Sequence, residues 1–117
     1  MDQIEFYEDK LRYETDPADL KAALNQGENI VVIDARSNAS FNEEHIPGAI
    51  NIPHRTMDAS TTVGLDRSAL FVTYCDGIGC NASTRGALNM TKLGFNVKEL
   101  MGGLVWWKQD GYETETA

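Results

Sequence analysis

The sequence predicts an α/β domain with a largely parallel central sheet, and two observations carry this prediction. Helical and strand patterns alternate along the chain, as they do in domains whose parallel strands are joined by helices. The run from Ile30 to Ile33 is continuously apolar, which is typical of a strand buried on both faces. The chain has 117 residues and no repeat or linker, so we expect a single domain over residues 1–117.

The first half of the chain begins this alternation with a well-delimited helix. Residues 17–26 favour a helix because Asp16 can cap it, Pro17 suits the first helical position and Gly27 ends the pattern. Residues 1–15 are treated as an N-terminal extension. The elements predicted next are a strand, a short helix, a turn and a short strand, at residues 30–33, 37–44, 45–48 and 49–52.

The second half repeats the pattern around a cysteine. Residues 57–66 are polar and favour no regular element, whereas residues 70–74 are apolar, β-branched or aromatic and predict a buried strand. The helix that follows has small and apolar residues on one face and Arg85, Asn89 and Lys92 on the other, and it ends at Gly94. A strand, a tight turn and a last helix are predicted at residues 97–100, 102–103 and 104–110.

Charge and hydropathy exclude two classes of partner. Ten basic residues stand against 18 acidic ones, giving a net charge of −8, so nucleic acid is not expected to bind. No apolar stretch approaches the ~20 residues of a membrane span, and we expect no membrane partner. The N-terminal residues also lack the pattern of a secretory signal, which leads us to expect a cytoplasmic protein.

The segment most indicative of chemistry follows the strand at residues 70–74. Cys75 ends the apolar run and precedes Gly77 and Gly79, and Asn81 is a suitable cap for the next helix. A thiolate at this strand-to-helix turn meets converging backbone N–H groups and the positive end of a helix dipole, which both favour the ionised nucleophile. In the alternative interpretation, Cys75 is a small buried apolar residue.

Several further segments match one known family. They are Val32 to Arg36, His45 to Pro53, Tyr74 with Cys75, and Gly102 to Leu104 with Trp107, Gly111 and Tyr112. In this order and spacing they resemble a single-domain rhodanese, a member of the sulfurtransferase family, over about residues 16–113. The resemblance implies a three-layer α/β/α domain with a central, mostly parallel sheet.

The resemblance also implies an activity. Cys75 occupies the position of the loop cysteine that takes sulfane sulfur from thiosulfate or a persulfide and passes it to a thiol or cyanide acceptor. The donor or acceptor can also be a protein persulfide, and no cofactor is required. The backbone N–H groups of the loop, from Asp76 through Gly77, Ile78, Gly79 and Cys80 to Asn81, would then stabilise the anionic persulfide.

Two departures from the family pattern affect substrate choice and structure. Asp76 follows the cysteine and no Lys or Arg appears until Arg85, so thiosulfate is expected to be a poorer donor than a low-charge persulfide. The family commonly has a glutamate four residues after the arginine at position 36, but this chain has Ser40. Glu43 or Glu44 is expected to replace that ion pair.

Three polar residues are assigned supporting roles around the site. Asp34 and Arg36 are expected to fix the surrounding loops because a charged pair at a strand end is usually structural. His45 is expected to be a hydrogen-bonded turn residue that also supports the site. The only other histidine is His54, and the spacing gives no ligand set, so no metal site is predicted.

Alternative functions follow from the same residues. Cys80 could resolve a Cys75 persulfide into a disulfide, since two glycines let the loop curl, or it could only pack beneath the loop. A thiol-redox or regulatory module using both cysteines is therefore the second interpretation, and a non-catalytic partner-binding domain is another. A phosphatase would need an arginine where this chain has Asn81, which argues against that chemistry.

Overall fold

The computed structural model describes residues 2–117, which form one sheet with helices around it. The α-helices are α1 (Gln3–Tyr13), α2 (Pro17–Asn25), α3 (Asn38–Glu43), α4 (Ala82–Lys92) and α5 (Gly103–Gln109). The strands are β1 (Glu14–Thr15), β2 (Ile30–Asp34), β3 (Ile50–Asn51), β4 (Leu70–Tyr74) and β5 (Asn96–Leu100). A short 3₁₀ turn covers His54–Thr56.

The sheet confirms the predicted parallel α/β architecture. Its strand order is β1-β5-β4-β2-β3, and every neighbouring pair runs parallel. The β2 and β4 strands pair along their whole length, from Ile30 opposite Leu70 to Asp34 opposite Tyr74. Both strands therefore end at the same edge of the sheet, where parallel α/β domains place their ligand sites.

Alternate residues of the inner strands pack in two separate apolar clusters. Val32 and Val72 pack in a cluster with α2 and α5, whereas Ile33 and Phe71 pack in a second cluster with Met90 of α4. Successive strand side chains point to opposite faces, so the helices must cover both faces of the sheet. The molecule consequently has the three layers that the resemblance implied.

Local sequence signals explain where the short helices begin. The Asp16 side chain accepts a hydrogen bond of 2.8 Å from the backbone N–H of Asp19, and the Ser37 hydroxyl accepts one of 3.2 Å from Ser40. Each bond satisfies one N–H group that has no partner within the first helical turn. The polar segment at 57–66 forms turns, in which Asp58 accepts a bond of 2.9 Å from the Thr61 N–H.

The N-terminal residues hold the largest difference from the predicted elements. Residues expected only as an extension form α1 and then β1, which adds an edge strand beside β5. Ile4, Tyr7 and Leu11 have helical spacing, but they stay exposed and α1 buries none of its residues. Within residues 2–117, no helix combines the length and hydropathy needed to cross a bilayer.

Candidate active site

The candidate site lies at the edge of the sheet where β2 and β4 end. Cys75 directly follows β4, the central strand of the sheet, and is 1% exposed. Its side chain is therefore buried at this edge of the sheet. The loop from Cys75 to Asn81 then leads into α4. The thiol thus comes from the rigid centre of the fold while its neighbours in sequence lie in a loop.

The loop brings the two cysteines together. Cys75 and Cys80 form a disulfide, and their Cα atoms are 6.3 Å apart, within the usual range for such a bond. Gly79 adopts φ +92°, a left-handed conformation that favours glycine, and this reverses the chain ahead of Cys80. The Cys80 N–H donates to the Gly77 carbonyl at 3.3 Å, so this amide is occupied within the loop.

Asn81 is the N-cap residue of α4, but its side chain does not make the usual capping bond. It occupies the position before the helix, but its side chain accepts no bond from the helix backbone. Its Oδ1 instead accepts a bond of 3.3 Å from Nε of Arg85. The predicted N-cap position is therefore confirmed, but the side-chain bond that such a residue usually makes to the helix is absent.

The first turn of α5 anchors the start of the loop. The N–H groups of Leu104 and Val105 donate to the carbonyls of Cys75 and Asp76 at 2.9 and 2.8 Å. A Cβ at Gly103 would lie 2.3 Å from the Cys75 carbonyl oxygen, so only glycine permits this approach. The sequence indicated a tight turn at residues 102–103 but not its contact with the cysteine.

A buried ion pair connects the sheet edge to the loop. Arg36 donates from Nη2 to Asp34 Oδ2 at 2.7 Å and from Nη1 to Asp76 Oδ1 at 2.9 Å, while Tyr74 donates its hydroxyl to Asp34 at 3.0 Å. Burial opposes the charged guanidinium, but the hydrogen bonds to Asp34 and Asp76 outweigh it and raise the pKa of Arg36. Burial and the neighbouring Asp34 charge likewise raise the pKa of Tyr74.

The expected replacement for the family's ion pair is wrong. The Arg36 guanidinium bonds the backbone carbonyl of Glu44 at 2.6 Å, but the side chain of Glu44 bonds Lys108 and Thr114 instead. The acidic partner from outside β2 is Asp76, which lies 40 residues away in sequence. Arg36 therefore holds the residue that directly follows Cys75.

His45 lies apart from the thiols. Its Nδ1 is 2.7 Å from the Phe41 carbonyl, its Nε2 is 3.2 Å from a Glu115 carboxylate oxygen, and its ring stacks on Phe41. Backbone bonds in both directions also pair His45 with Glu115. This residue fastens the C-terminal segment to the turn, and it lines neither of the depressions beside Cys75.

Two depressions meet at the pair of cysteines. One, of about 280 Å³, is lined by Arg36, His54 and Arg55 together with both cysteines. The other, of about 220 Å³, is lined by Glu14, Glu99 and Trp106 together with both cysteines.

Arg55 lies beside the cysteine loop although it is distant from it in sequence. It belongs to the segment after β3, so the sequence pattern around Cys75 does not indicate it. The interpretation that no basic residue flanks the loop is therefore wrong. Among residues 2–117, no three His, Cys, Asp or Glu side chains are grouped to hold a metal ion.

Comparison with known proteins agrees with the resemblance noted in the sequence. The family described as Rhodanese-like domain matches residues 16–110. The chain is 41% identical to the BH2092 protein from Bacillus halodurans, with a TM-score of 0.92, covering 97% of this chain and 83% of that one. It is 29% identical to the rhodanese-like domain of the Alr3790 protein from Anabaena, with a TM-score of 0.79, covering 89% of this chain and 79% of that one.

A curated relative is matched over less than half of its own length. The HTH-type transcriptional regulator Rv0324 of Mycobacterium tuberculosis is 31% identical over 94 residues, which cover 80% of this chain. The chain spans only 41% of that relative's length. Since the family match takes in most of the sequence and the solved structures share its whole fold, the chain belongs to the rhodanese-like domain family.

Proposed function

We propose that the protein is a sulfurtransferase that moves sulfane sulfur through a persulfide on Cys75. The observation that carries this proposal is the position of Cys75, at the end of the central strand and at the junction of two depressions. Such a position gives a donor and an acceptor access to one sulfur atom. The family match supports the proposal, since some members of this family are sulfurtransferases.

The proposed reaction has two displacement steps. The Cys75 thiolate attacks the outer sulfur of a donor R–S–SH, and the bond between the donor's two sulfurs breaks to release R–S⁻. The enzyme then carries Cys75–S–SH. A second thiolate or cyanide attacks the outer sulfur of this persulfide, takes that sulfur, and returns Cys75 as a thiolate. Because each step exchanges one S–S bond for a new bond to sulfur, neither needs an external oxidant or reductant.

Backbone amides of the loop are the proposed stabilisers of the persulfide anion. Among the residues that the structure describes, the N–H groups of Asp76, Gly77, Ile78, Gly79 and Asn81 donate to no protein acceptor. Well-placed donors of this kind contribute about 3 kcal/mol each to anionic intermediates in other enzymes. In the disulfide conformation the Cys80 N–H is already engaged, so we assign the cradle to the other five amides.

Cys80 is proposed as the resolving thiol, and its disulfide with Cys75 favours this role over mere packing. The Cys80 thiolate would attack Sγ of Cys75 in the persulfide, forming the disulfide and expelling the outer sulfur as HS⁻. The net two-electron change reduces the sulfane sulfur and oxidises the two thiols. A dithiol reductant must then restore both cysteines. The same pair also supports the second candidate, a thiol-redox module.

Mass spectrometry tests the proposed intermediate and the role of Cys80 together. The reduced protein is treated with one equivalent of a persulfide donor in the absence of acceptor. We expect an adduct of about 32 Da, one sulfur atom, on the Cys75 peptide within the dead time. In the wild-type protein this adduct should decay to a peptide cross-linked between Cys75 and Cys80, with release of sulfide. In Cys80→Ser the adduct should persist several-fold longer.

Thr84→Ser is the matched control, because it alters a hydroxyl residue in the first turn of α4, outside the proposed cradle, and retains both thiols. This variant should resolve its persulfide at the wild-type rate. A wild-type adduct that persists beside a free Cys80 thiol would make Cys80 a structural residue. If no adduct forms at all and the disulfide alone cycles with thiol reagents, the redox module would replace the sulfurtransferase.

A further inference from the structure

A further depression lies next to the site, and all of its charged lining residues are basic. It has a volume of about 690 Å³ and lies beside α4, where Arg55, Arg85 and Lys92 reach it and Leu88 lies between the last two. No Asp or Glu contributes to its lining. We call the surface formed by these four residues the basic groove.

The three cations of the groove have no acidic partner within residues 2–117. Four of the ten Lys and Arg residues form ion pairs with carboxylates. In the part of the chain that the structure describes, six form none, and three of these six, Arg55, Arg85 and Lys92, line this one depression. Three unbalanced positive charges on one surface are unusual in a chain with a net charge of −8. Opposite charge on a partner would be attracted to this surface and repelled by most of the rest of the molecule.

The electrostatic field of the groove reaches a neighbouring histidine. Burial, together with the charges of Arg55 and Arg85, lowers the pKa of His54. His54 and Arg55 also line the smaller depression that contains Cys75 and Cys80. The groove and the candidate active site are therefore continuous along one side of the loop.

The length of the groove distinguishes between small and large ligands. Arg85, Leu88 and Lys92 lie at spacings of three and four residues, so they share one face of α4. Lys92 is eleven residues beyond Asn81, which corresponds to a helix rise of ~16 Å. A thiol the size of a tripeptide spans at most ~10 Å when extended, so it cannot bond at the loop and reach Lys92.

An exposed apolar side chain is also part of this face. Leu88 is 54% exposed, and it lies between two cations on the same helical face. An apolar contact flanked by charges is a common arrangement in protein interfaces, whereas a small anion gains nothing from it. This contact favours a protein segment over a free anion as the occupant.

We propose that the basic groove docks an acidic segment of a protein that delivers sulfur to Cys75 or accepts it. The proposal rests on the proposed function, because it places the partner's sulfur at the depression shared with Cys75. Orientation by charge would bring a reactive sulfur to the loop even when the partner and this chain are both acidic overall.

Peptide binding tests the groove without depending on catalysis. The probe is a fluorescein-labelled, glutamate-rich peptide about twelve residues long with one cysteine, compared with a peptide in which glutamines replace the glutamates. The triple variant Arg55→Gln, Arg85→Gln and Lys92→Gln should bind the acidic peptide about tenfold more weakly, since each exposed pair contributes modestly. Wild-type affinity should fall with added salt, and the glutamine peptide should bind poorly.

A second triple variant serves as the matched control, since it removes the same charge from other elements. Lys21→Gln, Lys98→Gln and Lys108→Gln lie on α2, β5 and α5, away from the groove. This variant should bind the acidic peptide within about twofold of wild type. Equal losses in both triple variants would mean that net charge alone matters, and would overturn the proposal.

The rate of sulfur transfer from two donors distinguishes docking of a protein from binding of small anions. Because Arg55 also lines the depression at Cys75, the transfer assay uses the double variant Arg85→Gln and Lys92→Gln. With the peptide in persulfide form, kcat/KM should fall about fivefold in this double variant, whereas kcat/KM for glutathione persulfide should change less than about twofold. An equal loss with both donors would assign the groove to small anions and overturn the docking of a protein. Cys75→Ser should bind the peptide normally without accepting sulfur. If wild type binds the peptide but never accepts sulfur, the proposed function fails while the groove stands.

Discussion

Cys75→Ser should abolish the proposed sulfur transfer, with an expected loss of at least roughly a thousandfold in kcat, while the fold persists. Serine is close in size to the buried cysteine, which is 1% exposed, so no large cavity forms at the end of β4. Burial of its hydroxyl costs about 1–3 kcal/mol at most, which a folded domain can tolerate. A hydroxyl is far less ionised than a thiol at neutral pH, and its oxygen forms no stable persulfide. We therefore expect this variant to lose the proposed nucleophile and to keep its structure.

The substitution also removes the disulfide, so the control must separate the two effects. Cys80→Ser breaks the same Cys75–Cys80 bond but retains the proposed nucleophile. It should accept one sulfur per chain in a single turnover, whereas Cys75→Ser should accept none. Circular dichroism and thermal unfolding verify both folds. Equal turnover by Cys75→Ser and wild type would remove Cys75 from the mechanism.

Local sequence patterns are sufficient to predict the central strands of the fold. The apolar runs at Ile30–Asp34 and Leu70–Tyr74 are buried strands, because a strand covered on both faces tolerates few polar residues. The helix before Gly94 followed from its two faces. The position of Cys75 followed from the same logic, since a loop after a central strand must lie at the carboxyl edge of the sheet.

Local sequence patterns do not predict contacts between segments that are distant along the chain. Asp76 satisfies Arg36 across 40 residues, and no spacing rule connects those two positions. Arg55 reaches the depression at Cys75 from the turn after β3, so a search for basic residues next to the cysteine could not find it. Both facts depend on how segments pack in three dimensions.

The N-terminal helix was missed for a different reason. The family resemblance begins only at about residue 16, so it predicts nothing for residues 1–15, although Ile4, Tyr7 and Leu11 follow helical spacing. An edge strand of only two residues, Glu14–Thr15, is too short for a period-two pattern. It is identified by its pairing with β5, which the sequence alone does not display.

The second large effect is expected at Gly103, where a methyl group meets backbone and not a movable side chain. Gly103→Ala would place Cβ 2.3 Å from the Cys75 carbonyl oxygen and 2.9 Å from its carbonyl carbon. The residue also has φ +54°, which alanine rarely adopts. Relief requires α5 to separate from the loop, which breaks the bonds from Leu104 and Val105 to the loop carbonyls. We expect a loss of about 2–4 kcal/mol in the free energy of unfolding.

Gly111→Ala separates the strain of the backbone from the clash. Gly111 has φ +86°, but a Cβ there would meet nothing within 4 Å. That variant should lose only about 1 kcal/mol and should retain full sulfur transfer, since its carbonyl and amide lie away from the loop. Urea unfolding measures both variants, and a single-turnover assay of folded protein measures transfer. Gly103→Ala should lose transfer even where it remains folded, because α5 no longer holds the Cys75 carbonyl. Matching stability and activity in the two alanine variants would show that the contact between α5 and the loop does not position Cys75.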